Sequence, residues 1–261
     1  MTAVRALLAR IVPRRWRLLV HQRISRLRGR QAVHIFHIGK TGGTAVRNAL
    51  REHRHSGRYD LHLQFHETTL KDIPRGDLVV FFLRDPVSRF ASGFDNQRRR
   101  GAPLYTHTWT EAETIAFERF PTDAELALAL GSPDLETRQA AEAAMRGIGH
   151  VQNFYWDWFG DEAYFRERLD DIFFVGFQET LSDDFEELKR RLDVPADVSL
   201  PADDRTSQRR PTKSDPLPPK AVALLRDWYA VDYDFIRLCE ETVLDHPAPI
   251  EFERRDAAKP R

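Results

Sequence analysis

Ala32-Val33-His34-Ile35-Phe36, continued by His37-Ile38-Gly39-Lys40-Thr41-Gly42-Gly43-Thr44-Ala45-Val46, decides the fold of this chain. The first five residues read as an apolar strand, and the next ten place a lysine, two threonines and three glycines where that strand turns into a helix. Glycines let backbone N–H groups approach an anion, and a helix beginning near Thr44 presents its unsatisfied N-terminal donors to it. The implied ligand is a nucleotide. A Walker A loop would need glycine at position 34, where this chain has His34, and the Gly42-Gly43 pair follows the lysine, so the ordinary ATPase reading is weakened.

Further along, Leu78-Val79-Val80-Phe81-Phe82-Leu83 reads as a buried parallel strand and runs into Arg84-Asp85-Pro86-Val87-Ser88-Arg89-Phe90-Ala91-Ser92. Asp85 suits a helix N-cap and Pro86 the first helical position, while Ser88 and Ser92 fall on one face of that helix and Arg84 stands at the strand's end. One cation and one hydroxyl can converge there on a separate phosphate.

These two motifs, in this order, resemble those of sulfotransferases that use 3′-phosphoadenosine 5′-phosphosulfate (PAPS), especially the branch related to carbohydrate sulfotransferases. The likeness continues to about Leu192, where the segments at 140–150 and 174–181 are similar to a bacterial subgroup. The resemblance implies an α/β fold, with a central parallel sheet flanked by helices in a P-loop-like sulfotransferase arrangement carrying a helical insertion. It implies that Lys40, Thr41, Gly42, Gly43 and Thr44 hold the 5′-phosphosulfate, that Arg84 and Ser92 hold the 3′-phosphate, and that PAPS is the donor co-substrate. The acceptor it implies is a hydroxyl on a carbohydrate or glycolipid. Lys40 is then the natural cation at the oxygen bridging phosphate and sulfate, where charge grows as the S–O bond breaks.

The base is sought in Tyr59-Asp60-Leu61-His62-Leu63-Gln64-Phe65-His66-Glu67, whose odd positions are apolar and even positions polar, as in a strand with two different faces. His62 and His66 share a face, and His66 lies at the carboxyl end, where ligands of open α/β sheets collect. A histidine in this segment matches the base position in much of the family, and its near-neutral pKa suits proton abstraction from a hydroxyl. Glu67 is the rival, since some carbohydrate sulfotransferases use a glutamate. His62 reads as a satisfied buried histidine. His150, beside Gln152 and Asn153, fits either an acceptor contact or a helix cap. With no His-Glu-x-x-His and no paired cysteines, a metal-independent reaction is expected. Other readings of the same loops are a Mg²⁺-dependent phosphoryl transferase, for which no Walker B carboxylate stands out, or a catalytically silent nucleotide-binding protein.

At 261 residues the chain suits one α/β domain with appendages, and its formal charge balances to zero. The balance hides an asymmetry, because residues 1–30 hold nine arginines and no acid, interspersed with Leu7, Leu8, Ile11, Trp16, Leu18, Leu19 and Val20. This basic amphipathic arm, residues 1–30, fits either a helix packed on the domain or peripheral contact with an anionic membrane. Residues 31–261 form the catalytic domain in this reading, with a helical insertion at about 100–170 and a C-terminal loop and helix at 195–245. No run approaches the ~20 apolar residues of a bilayer span. The lone Cys239 reads as packing, a cytoplasmic location is expected, and no nucleic-acid partner is.

The pattern predicts strands at 32–37, 59–65, 78–83 and 172–177, and helices at 43–54, 86–99, 181–192 and 221–244. The aromatics at 154–159 are expected in the core. The Pro-rich stretch 195–219, with Arg209, Arg210 and Lys213, fits either a solvated linker or a clamp over the nucleotide.

Overall fold

A computed structural model describes residues 13–102, 104–105, 107–202 and 216–243. Four parallel strands and one short antiparallel strand make a sheet in the order β2-β3-β1-β4-β5: β1 (Gln31–Ile35), β2 (His55–Ser56), β3 (Tyr59–Leu63), β4 (Leu78–Leu83) and β5 (Ile172–Phe177). The register sets Ile35 opposite Leu63 and Val80, and Leu83 opposite Phe177. The chain leaves β1 toward β3 on one side and returns to β4 on the other, which opens a crevice at the carboxyl ends of β1 and β4.

Period-two alternation assigns each strand's side chains to two cores. Phe81, Leu83, Val175 and Phe177 pack on one face against Tyr155, Trp158, Phe159, Phe165 and Phe235. Val80, Phe82 and Phe174 pack on the other with Val46, Leu50, Phe185 and Leu188. Burial on both faces is what β4, an unbroken apolar run, requires of a parallel strand. The expected core role of the 154–159 aromatics is met by Tyr155, Trp158 and Phe159, and Cys239 is likewise buried. A third cluster, around Phe90, Phe94, Phe117, Leu126, Met145 and Tyr229, forms the helical insertion.

The helices, in chain order, are α1 (Arg14–Leu27), α2 (Gly43–Ala49), α3 (Pro86–Arg98), α4 (Glu111–Arg119), α5 (Asp123–Ala129), α6 (Leu135–Gly147), α7 (Trp156–Phe159), α8 (Glu162–Arg166), α9 (Leu181–Arg191), α10 (Pro219–Trp228) and α11 (Ala230–Thr242). Two expected helices are corrected. The one at 43–54 ends at Ala49, because after the buried Leu50 the run Arg51-Glu52-His53-Arg54-His55 offers no apolar residue to extend the packed face. The one at 221–244 breaks at Tyr229, whose phenol donates to Val151 O at 2.7 Å. Beyond the break, Asp232 is fully buried and meets Arg89 at 2.6 Å, between β4's helix and the insertion. Strands β1 and β3 also stop two residues short of the predicted 37 and 65, releasing His37 and Phe65 from the ladder.

Arg89 also donates to Asn153 O and lies over the Tyr155 ring, and burial lifts the Asp232 carboxyl to about 6 against the pull of this guanidinium. Removing one partner leaves a buried charge uncompensated. Asp232→Ala is therefore expected to lower unfolding free energy by about 3–5 kcal/mol. A denaturant titration showing a loss within the noise of a surface substitution would contradict the pair's structural role.

Candidate active site

The loops that leave the carboxyl ends of β1, β3, β4 and β5 enclose a cavity of about 610 Å³. Its walls include Lys40, Gly42, Gly43 and Thr44 from the first motif, Arg84, Ser88 and Ser92 from the second, and His37, His66 and His150. Of the residues expected to hold the donor, Thr41 alone is not on the wall: it is 1% exposed and its hydroxyl donates to Ile38 O at 3.1 Å, bracing the loop from inside. Residues 205–213, the candidate clamp, lie outside the described residues.

The first loop is bent by unusual backbone. Lys40 has φ 67° and Gly42 φ 86°, so a lysine occupies the left-handed region that L side chains avoid. Arg84 holds it there by donating from Nη1 to Lys40 O at 3.2 Å, which ties the two motifs together. A side chain at Gly43 would place its Cβ 2.6 Å from the His37 ring, so the close approach of helix and histidine demands glycine.

The second motif is aimed by buried partners. Tyr155 accepts from Arg84 N at 2.9 Å and donates to Arg84 O at 2.6 Å, fixing the backbone from which the guanidinium departs. Asp85 caps α3 by accepting from Ser88 N at 2.7 Å, and its other oxygen accepts from Tyr233 at 2.7 Å. Pro86 follows as the first helical residue, so the turn bearing Ser88 and Ser92 starts as the sequence expected.

The histidine side holds a network the sequence did not disclose. The His37 and His66 rings stack at 3.8 Å, and His150 lies 5.6 Å beyond His66. Arg47 Nη1 lies 3.1 Å from His37 Nδ1, and His37 Nε2 lies 3.2 Å from Thr44 Oγ1. An arginine can only donate, so Nδ1 accepts and the neutral ring carries its proton on Nε2, donating to Thr44. Thr44, on the cavity wall, can then donate its own hydroxyl hydrogen to a ligand there. Arg47 also donates to Gln64 O at 2.8 Å and lies under the Phe65 ring at 4.4 Å, coupling the first loop to the segment that carries His66.

Burial, reinforced by His66, Arg47, His150 and Lys40, lowers His37 to about 3. Burial and Lys40 bring His150 to about 3 as well. His66 is also lowered, chiefly by burial, with a hydrogen bond to the His37 backbone and the charge of Glu67 opposing. The cavity thus sets neutral imidazoles beside the cations Lys40 and Arg84. Glu67 is exposed and pairs with Arg14 outside the cavity wall.

His62 departs from its expected role. It stacks between His21 and His34 at 5.2 and 5.1 Å, away from the cavity, but its Nε2 is buried with no hydrogen-bond partner among the described residues. The polar side of β3, expected to differ from the apolar one, is covered by α1.

The remaining wall, Gln178 to Asp183, follows β5. Gln178 N donates to Leu83 O at 2.8 Å, and the Glu179 carboxylate accepts from Asp85 N at 3.1 Å, joining this wall to the second motif. Its sequence signals were its position, directly after an apolar strand, and the likeness of 174–181 to the family. Nothing in Gln-Glu-Thr-Leu by itself announces a ligand.

The arrangement brings cations, hydroxyls and neutral imidazoles together around one cavity, which suits transfer of an anionic group. A comparison with known protein families matches residues 27–236 to the family described as "Sulfotransferase family", and the chain belongs to it. It is therefore a sulfotransferase, an enzyme that takes a sulfate donor and a hydroxyl-bearing acceptor. Comparisons with curated proteins and with solved structures gave no match. No helix among the described residues is long and apolar enough to cross a membrane.

Proposed function

We propose that this sulfotransferase moves a sulfuryl group from PAPS to a hydroxyl of a carbohydrate or glycolipid acceptor by in-line displacement without a metal. One observation carries the reading: Lys40 and Arg84, at the tips of neighbouring strands and linked at 3.2 Å, face the same cavity as the Thr44 and Ser92 hydroxyls and a neutral His66. The donor set fits a nucleotide with two separate phosphates, since each motif brings one cation and at least one hydroxyl. The Lys40–Thr44 loop holds the 5′ end and Arg84 with Ser92 the 3′-phosphate. PAPS supplies the activated sulfuryl group. Lys40 offsets charge on the departing phosphate oxygen, and His66 accepts the acceptor's proton. The lone, buried Cys239 needs no oxidising compartment, which supports a cytoplasmic placement.

Calorimetric titration with 3′-phosphoadenosine 5′-phosphate (PAP), the product nucleotide, tests this. Binding in the presence of a chelator, and tighter than ATP, is expected. A preference for ATP that depends on Mg²⁺ would favour phosphoryl transfer and reject the proposal. Arg84→Ala is expected to weaken PAP by about one to two powers of ten, the worth of one charge-assisted hydrogen bond to phosphate. An unchanged affinity would remove Arg84 from the 3′ site.

A further inference from the structure

The helix that precedes the sheet has two faces with opposite fates. Leu18, Gln22 and Ser25 are buried, Leu18 in the core and Gln22 donating to Arg75 O at 3.0 Å. Turned away from them at 100° per residue stand Trp16, Val20, Ile24 and Leu27, which are 63%, 54%, 39% and 88% exposed. This outward stripe repeats every third or fourth residue for the length of α1. Arg15, Arg23 and Arg26 flank it on one side and Arg17 and Arg28 on the other, and α1 has no acidic residue.

We infer that α1 docks by this stripe onto the surface of an anionic phospholipid bilayer. An apolar strip between two rows of arginines matches an interface in which acyl chains lie between acidic headgroups. Charge complementarity extends to the whole chain: residues 1–30 hold nine of the forty basic residues and none of the forty acidic ones, so the other 231 residues are net negative by nine. An anionic surface repels that body and attracts the arm, orienting the molecule with α1 toward the lipid. A helix of this length presents a strip of roughly 20 by 10 Å, far below the ~800 Å² per partner of a stable protein interface, and such a strip suits a bilayer better than a second copy.

At its first residue the helix meets the segment that carries His66, outside the cavity wall. Arg14 donates to Glu67 O and pairs with Glu67 and Asp72 at 3.6 Å, directly after His66. Docking therefore holds the segment that bears His66 near the headgroups, which accords with an acceptor hydroxyl borne by a lipid. That last consequence rests on His66 as the base; the docking does not.

The test is co-sedimentation of the full chain with vesicles of phosphatidylcholine alone or mixed with phosphatidylglycerol. Binding to the anionic vesicles only is expected, with loss at about 1 M salt, where the Debye length falls to about 3 Å. Arg15→Ser/Arg23→Ser/Arg26→Ser should weaken it about a hundredfold. Trp16→Glu/Leu27→Glu should abolish it while PAP affinity, the check on folding and on the donor site, is kept. Equal sedimentation with and without the acidic lipid, or wild-type binding by the Trp16/Leu27 variant, overturns the proposal. So does a dimer in sedimentation velocity that this variant converts to monomer without any vesicle binding by the parent chain, which would make the stripe a contact between copies. Vesicle binding is read without donor or acceptor, so a failure here and a failure of the sulfuryl-transfer reading are separate results.

Discussion

Lys40→Ala is expected to lower kcat by about 10²–10³, with PAP affinity changed far less. The ammonium acts where charge accumulates on the departing phosphate oxygen, and an interaction stronger in the transition state than in the bound complex shows itself in rate. The backbone supplies an independent control. At φ 67° the lysine sits in a conformation that glycine adopts without strain, so Lys40→Gly should remove the cation while sparing or raising stability. A site-specific catalytic role then appears as an enzyme at least as stable as the parent, still able to bind PAP, and nearly inert. If either variant instead lost PAP affinity by the full factor and kept its turnover, Lys40 would be an anchor for the nucleotide and nothing more.

The second large effect is at His66, where alanine should cost about 10²–10⁴ in kcat and leave PAP affinity within a few-fold. The pH profile distinguishes a base from a packing residue. A general base acts in its deprotonated form, so kcat/KM falls as pH drops through the pKa of the free enzyme's histidine. Burial lowers that pKa from 6.5, which sets the acid limb below pH 6.5. His66→Gln, which preserves a planar polar side chain against His37, should abolish this limb together with the rate. Glu67→Gln should retain both, because Glu67 stands outside the cavity in an exposed pair with Arg14. The opposite pattern, a silent His66→Gln and an inactive Glu67→Gln, transfers the role to the glutamate.

The parts of this molecule that were legible in the sequence are those that local chemistry enforces. The run 78–83 is apolar at every position and could only be a buried strand, and Asp85-Pro86 specifies a helix start whatever surrounds it. The Gly42-Gly43 turn is likewise forced, one glycine by its positive φ and the other by the His37 ring. What escaped depends on partners distant in the chain. Arg47 sits on a short helix whose sequence gives no reason to expect a contact with Gln64 and Phe65, yet that contact ties the first loop to the segment that carries His66. The break at Tyr229 accompanies contacts far away in the chain, the phenol's bond to Val151 O and, just beyond it, the pairing of Asp232 with Arg89, 143 residues earlier. His37 looked like the last residue of a strand and is instead the hub between Arg47, Thr44 and His66. In a parallel sheet the ligand-facing residues come from loops after separate strands, and single-chain patterns do not reveal which of those loops meet.

A crystal structure of the protein with PAP bound decides whether the two motifs grip opposite ends of one nucleotide. The 5′-phosphate is expected on the Lys40–Thr44 loop and the 3′-phosphate on Arg84 and Ser92, with His66 facing the 5′ end across the cavity. A nucleotide bound in the reverse sense, or bound elsewhere with both motifs untouched, would contradict this placement.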